Sequence, residues 1–259
     1  MKLKFFLLFT MSLLTLASCS DSASDEFEDS NPDGVARYIE TIETVSAQDA
    51  SENATITVNY DGNGRVSSIT DGEESSLFIY SNNQLTNISG QGDNFNIEEL
   101  YQSPYDAFET GVVNEYVNNN PVNITFYEYE YDFMSNTEVE VEYTAEITYD
   151  SQPNPYFYTL DAAGLVDVMD NVDLNFSMNP SSPEIIQARA LFPVNNISGI
   201  TYRDEDGTVV YEIEADYVYN SDNYPTSGTV TATYYEEDDY NGETYTETSI
   251  YSLSYTYRE

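Results

Sequence analysis

From Thr208 to Tyr219, apolar and aromatic residues occupy every second position. Val209, Tyr211, Ile213, Ala215, Tyr217 and Tyr219 alternate with Thr208, Val210, Glu212, Glu214, Asp216 and Val218. Side chains of a strand point alternately to opposite faces, so this spacing predicts a half-buried β-strand. Val230, Ala232 and Tyr234 continue the pattern, as do Tyr245, Tyr251, Leu253, Tyr255 and Tyr257. Further upstream, Thr55 to Ser89 divides into two halves, each a strand ending in Tyr, a polar turn and a second strand. Ile124–Phe133 and Val139–Tyr149 form the sharpest hairpin. Gly34 to Gln48 fits either a short helix or a first strand.

The turns between these strands share a composition. Asp61-Gly62-Asn63-Gly64 and Ser81-Asn82-Asn83 supply residues that tolerate positive φ. A tyrosine followed by such a turn recurs at Tyr60, Tyr80, Tyr149, Tyr202, Tyr219 and Tyr240. Tyr60 and Tyr80 are twenty positions apart, and a period of about that length describes a hairpin repeat whose units lean on one another. Asn94–Pro121 and Asn154–Pro193 lack the signature and read as insertions that cover the sheet. In the second, Ser182-Pro183-Glu184 has the residues of a helix start, predicting a covering helix through Ile185, Ile186 and Ala188 to Leu191, ended by Phe192-Pro193. The residues therefore predict an all-β class with one or two short covering helices.

Tyr60-Asp61-Gly62-Asn63-Gly64-Arg65-Val66 resembles a YD repeat. The runs Asn195–Tyr202 and Tyr217–Thr226 are similar to those of uncharacterised Bacteroidota surface lipoproteins with degenerate YD-like (Rhs-type) hairpin repeats. The resemblance covers most of residues 55 to 257 and rests on turn grammar rather than chemistry. It implies a long antiparallel meander, a curled sheet or half-barrel, with a β-sandwich as the alternative.

Composition narrows the function. Met1–Ser18 has a charged start at Lys2 and Lys4 and an apolar run from Phe5 to Leu16, too short to span a bilayer stably, so it reads as a signal peptide. Leu16-Ala17-Ser18-Cys19 looks like a lipobox, which implies that Cys19 is lipidated and becomes the first residue of the mature chain. It is the chain's one cysteine. Ser20–Asp33 is small and acidic, so residues 19–33 are expected to form a disordered tether, and 34–259 a single β-rich domain. The acidic stretch after Cys19 resembles a surface-export signal of Bacteroidota lipoproteins, pointing to the outer membrane and the cell surface. Beyond residue 18 the chain has five basic groups, Arg37, Arg65, Arg189, Arg203 and Arg258, against 47 acidic ones, a balance of −42. Such a field repels nucleic-acid phosphates, excludes nucleic-acid binding and favours cations or a basic partner. There is no His, and no Lys after Lys4, which removes Ser–His and Cys–His pairs, the common zinc sites and Schiff-base chemistry. Carboxylate-pair glycoside hydrolysis and hard-cation binding survive this cut. No pair among the 47 carboxylates is singled out, so the expectation is a non-enzyme without a resident cofactor.

One constellation invites a site. A turn at Met134–Glu138 would set Phe133 opposite Val139, Tyr131 opposite Val141 and Tyr129 opposite Tyr143, apolar face to apolar face. On the other face, Asp132 would then oppose Glu140 and Glu130 would oppose Glu142. Like charges so placed destabilise a sheet unless water and salt screen them or a cation or basic partner collects them. Glu128, Glu130, Asp132, Glu140 and Glu142 are accordingly the candidate calcium ligands, although flat strands seldom wrap six or more ligands around one ion. Asp204-Glu205-Asp206-Gly207 resembles part of a calcium loop, but lacks the distal Glu and reads more simply as a hairpin turn. The 25 tyrosines could stack on a glycan, yet their alternation beside Val and Ile is core spacing. Three functional readings follow: a lipid-anchored binding or structural protein, with calcium-dependent adhesion or glycan binding as its variants; a glycoside hydrolase; and an outer-membrane barrel.

Overall fold

The computed structural model describes residues 22–90, 94–96, 111–132, 136–171, 173–175, 185–187, 192–237 and 244–258. Thirteen strands form one antiparallel sheet. In chain order these are β1 (Tyr38–Ser46), β2 (Ala54–Tyr60), β3 (Val66–Thr70), β4 (Ser75–Ser81), β5 (Gln84–Ser89), β6 (Asn94–Asn96), β7 (Gly111–Val117), β8 (Asn120–Asp132) and β9 (Thr137–Pro153), then β12 (Asn195–Arg203), β13 (Val209–Tyr219), β14 (Pro225–Glu237) and β15 (Thr244–Arg258). A separate ribbon pairs β10 (Asp173–Asn175) with β11 (Ile185–Gln187). The order across the large sheet is β6-β5-β4-β3-β2-β1-β15-β14-β13-β12-β9-β8-β7. Every neighbour is therefore adjacent in chain order except at two joins. At one, β1 meets β15 and the first strand pairs with the last; at the other, β9 meets β12 across a helical excursion. This is a curled, open meander with β6 and β7 as its edges, and the sandwich alternative does not hold.

The alternation read from the sequence sets its two faces. On one, Ile147, Ile200, Ile213 and Ala232 line up directly across β9, β12, β13 and β14. On the other, Glu146, Thr201, Glu212, Thr233 and Thr248 do the same. Part of the apolar face is covered by helices. Ile39, Val58 and Val66 pack with Ala163, and Ile42, Ile69, Phe78, Leu165 and Tyr257 surround them. Ala163 follows α2 (Phe157–Ala162), and Leu165 begins α3 (Leu165–Asp170). A second cluster joins Phe27, Phe157, Val166 and Val194.

Four expectations are corrected. Residues 22–31 do not form a tether: Ala23–Ser30 is a helix, α1. The Ser22 hydroxyl accepts from the Asp25 amide at 3.1 Å while the Asp25 carboxylate accepts from the Ser22 amide at 3.2 Å, a reciprocal cap. Ala23 and Phe27, one turn apart, bury a single face, and the Phe27 ring, 0 % exposed, stacks on Phe157 at 3.7 Å. Residues 22–31 are thus part of the folded body. Secondly, Ile185 and Ile186 are strand residues in β11, not helical ones; β-branched side chains lose rotamer freedom in a helix and suit a paired extended strand. The predicted cap at 182–184 and the end of that helix at 188–191 lie outside the described residues. Thirdly, the described parts of 94–121 join the sheet as its edges instead of covering it, and among the described residues the cover comes from 157–170 together with α1. Finally, the β8–β9 register differs from the one expected. Tyr127 pairs with Glu142, Glu128 with Val141, Tyr129 with Glu140, Glu130 with Val139 and Asp132 with Thr137. Asp132 pairs with Thr137 and Asn136 has φ +59°, so the connection is one residue shorter than expected, which changes the parity of every pair. Register is tightly specified only where one face is buried. Here Tyr131 is 47 % exposed and Val139 37 % near the turn, whereas Ala145, opposite Ile124, is buried, so the packed end of the pair sets the register.

Candidate functional site

Tyrosines build the frame of one end of the sheet. The Tyr60 hydroxyl, at the end of β2, donates to the Ile39 carbonyl at 2.6 Å. Tyr80, on β4, reaches Val66 at 2.7 Å; Tyr149, on β9, reaches Pro121 at 2.7 Å; Tyr257, at the end of β15, reaches Pro225 at 2.8 Å. In each case a residue late in one strand ties down the carbonyl of a residue at or near the start of its neighbour. The Tyr80 hydroxyl also lies 3.2 Å from the Ala163 carbonyl, joining sheet to helix. Burial raises the phenol of each of these four above the ordinary tyrosine value, Tyr80 to about 12. They are frame, not platform, and at Tyr60, Tyr80 and Tyr149 the Tyr-before-turn pattern is the sequence trace of this tie.

Between α1, the β7–β8 turn, the end of β9 and the start of β12 lies an open cleft of about 670 Å³. Asp29, Ser30, Asn118, Asn119, Tyr149, Asp150, Ser151 and Asn195 line it. Its floor is fixed by Asn120, a buried side chain with all its hydrogen-bonding capacity engaged. The Asn120 carbonyl oxygen accepts from the amides of Val194 (2.9 Å) and Asn195 (3.1 Å). Its amide nitrogen donates to Asn195 Oδ1 (2.9 Å) and the Asn118 carbonyl (3.1 Å). Asn118 and Asn119 both take positive φ, a conformation that Asn tolerates better than most residues. The wall is a carboxylate network: Asp150 Oδ2 accepts from the Tyr219 hydroxyl and from Asn196 Nδ2 (3.3 Å), while its other oxygen accepts from the Gln152 amide (2.8 Å). Burial, then the bond to Asp150, raises the Tyr219 phenol. The result is a pre-set group of carboxamides, hydroxyls and carboxylates with no cationic side chain in its lining.

The candidate residues from the sequence fall elsewhere. Cys19 lies outside the described residues. Glu140 and Glu142 are exposed and stand opposite Tyr129 and Tyr127, whereas Glu128 and Glu130 stand opposite valines. The five acidic positions thus alternate in register instead of facing one another in pairs. Among the described residues, no three Asp, Glu, His or Cys side chains are grouped to hold a metal. The Asp204 carboxylate is engaged by its own turn, accepting from the Asp206 and Thr208 amides at 3.0 and 2.8 Å.

No protein-family model matches the chain, and no curated protein does. Among solved structures, a porin-like protein from Bacteroides uniformis is similar at 12 % identity and a TM-score of 0.37, over 85 % of this chain and 96 % of that one. A porin-like protein from Bacteroides vulgatus is similar at 9 % identity and a TM-score of 0.35, over 86 % and 99 %.

The cleft was missed in the sequence, although its signal was present. Asn118-Asn119-Asn120 and Asn195-Asn196 are runs of a residue poor in strands and good at turns and polar networks. Attention to acidic residues, which are everywhere in this chain, passed over the rarer carboxamide clusters.

Proposed function

We propose that this is a lipid-anchored protein of the cell envelope, carried on the outer membrane by Cys19 and facing the cell surface, with a binding role and no catalysis. Its ligand is an uncharged polyhydroxylated molecule of the glycan type, held in the cleft around Asn119 and Asp150. The observation that carries this reading is the chemistry of the lining. Carboxamides, carboxylates and hydroxyls offer donors and acceptors in quantity, fixed in advance by Asn120, Asn196 and Tyr219, so little ordering is left to the moment of binding. The excess of negative charge disfavours an anionic ligand, and a sugar hydroxyl both donates and accepts.

Catalysis by paired carboxylates calls for an acid with a raised pKa. Among the described residues the carboxyl so shifted is Asp161, raised by burial and then by Asp167 and Glu28, and it belongs to α2, outside the cleft lining. A membrane-spanning barrel would present an apolar outer band, whereas the face away from the helices carries Glu146, Thr201, Glu212, Thr233 and Thr248 in one row.

Two measurements test the proposal. Cells fed an alkyne fatty acid should label the wild-type chain and not a Cys19→Ala variant, and protease added to intact cells should remove it. The mature chain carrying Cys19→Ser should bind neutral oligosaccharides on an array, and Asn119→Ala should weaken that binding at least tenfold. Binding that Asn119→Ala and Asp150→Asn both leave unchanged would remove the cleft from the account.

A further inference from the structure

We infer that the lipid anchor holds the body with its helical end against the membrane, so that β13 descends toward the lipid and the Asp204–Gly207 turn before it is carried away from the lipid. This rests on the lipidation of Cys19 proposed above. What adds to it is the state of the residues that follow. Had 19–33 been unstructured, fifteen residues would reach about 50 Å and leave the body free to tumble. Instead the chain is part of the folded body from the Ser22 cap onward. From Cys19 to Ser22 is three peptide steps, an extension of at most about 10 Å.

Helix α1 is fixed to the rest of the molecule at both ends. The Ala23 amide donates to Asp170 Oδ1 at 2.8 Å, at the end of α3. Asn31 Nδ2, at the other end, donates to the Val194 carbonyl at 3.1 Å, and Phe27 stacks between on Phe157. Just beyond, Arg37 pairs with Asp222 in the turn between β13 and β14. That turn therefore belongs to the anchored end. The Asp204–Gly207 turn precedes β13 and lies at the far end of it, eleven residues or about 35 Å away. The surface set against the lipid includes Asp25, Glu26, Glu28 and Asp29 of α1, so the compatible partner is a zwitterionic lipid surface, since anionic headgroups would repel it. The cleft, lined by Asp29 and Ser30, also belongs to this end, and its ligand must be reached close to the membrane.

The test installs the anchor chemically, so that it bears on orientation whether or not cells lipidate Cys19. The mature chain from Cys19 is coupled through its thiol to a maleimide lipid in phosphatidylcholine vesicles. A donor dye is attached at an azide-bearing residue placed at exposed Ser221 or exposed Glu205, with the acceptor on lipid headgroups. Transfer from position 221 is expected to exceed that from position 205 at least threefold. Inserting about twenty Gly and Ser residues between Ser20 and Asp21, a coil averaging about 25 Å, should abolish the difference. Equal transfer from both positions without the insert, or greater transfer from 205, would overturn the inference.

Discussion

A buried tyrosine hydroxyl is a small polar group in an apolar setting, and those of Tyr60, Tyr80, Tyr149 and Tyr257 are each matched to a carbonyl. Replacing Tyr149 by Phe keeps the ring but leaves the Pro121 carbonyl without its 2.7 Å partner. The expected cost is about 1 kcal/mol, read as a shift in the urea midpoint with an unchanged slope. Tyr234→Phe, on a ring 48 % exposed, should leave the midpoint where it is. Equal effects from the two would contradict the tie described for the frame. Glycine effects divide by cause. Gly64 sits at φ +85° with open space where a Cβ would stand, so Gly64→Ala should cost about 1 kcal/mol through the backbone alone. At Gly228 the backbone is ordinary, but a Cβ would meet the Tyr217 ring at 2.7 Å and the Asp216 carbonyl at 3.1 Å. Gly228→Ala should therefore destabilise more than Gly64→Ala, in the range of overpacked core substitutions, about 1–3 kcal/mol.

The legible elements were those whose local pattern and burial agree. Alternation gave β13 its two faces because one of them is packed. The turn grammar was legible for a related reason: Asp61, Asp204 and Asn220 each accept the amides two and four residues on, and each is followed at the third position by a residue of positive φ, Gly64, Gly207 or Asn223. Local chemistry alone determines such a turn. Helix α1 was missed although Ser22 and Asp25 form a capping box, because one aromatic among acids reads as solvated chain until Phe157 is known to receive it. Phe27→Ala removes that anchor and should cost about 3–5 kcal/mol, with earlier proteolysis near α1; a loss below about 1 kcal/mol would return the segment to tether. The β8–β9 register was missed because the alternation at 127–133 was weighed over Ile124, which pairs with the buried Ala145 at the packed end. Its consequence is measurable. With acidic positions alternating instead of paired, millimolar calcium should raise the melting temperature no more than magnesium at matched ionic strength. A rise specific to calcium would restore Glu128, Glu130, Asp132, Glu140 and Glu142 as a binding group.

Across the whole molecule, stability should be bounded by pH on two sides, for different reasons. Asp61 is held below the usual carboxylate range by its bond with Arg65, and Asp71 by the Glu74 and Glu73 amides. A folded-state pKa below the unfolded one contributes stability above the unfolded value, and that stability is lost as pH falls through the folded one. Tyrosines behave in the opposite sense. Burial raises Tyr80, Tyr116 and Tyr217 to about 12, and raises Tyr149, Tyr219, Tyr224, Tyr255 and Tyr257 as well. Their contribution is complete below the ordinary phenol value of 10.0 and is lost as pH rises from there through the folded values. Each added phenolate also joins a chain already at −40, where self-repulsion opposes the compact state. The expected outcome is a cooperative alkaline transition above pH 10, in which tyrosinate absorbance and loss of the β circular-dichroism signal move together, and which added salt shifts upward. Tyrosinate absorbance that rises gradually around the ordinary phenol value, with the β signal intact, would mean that the row of hydroxyls is open to water and does not hold the end of the sheet together.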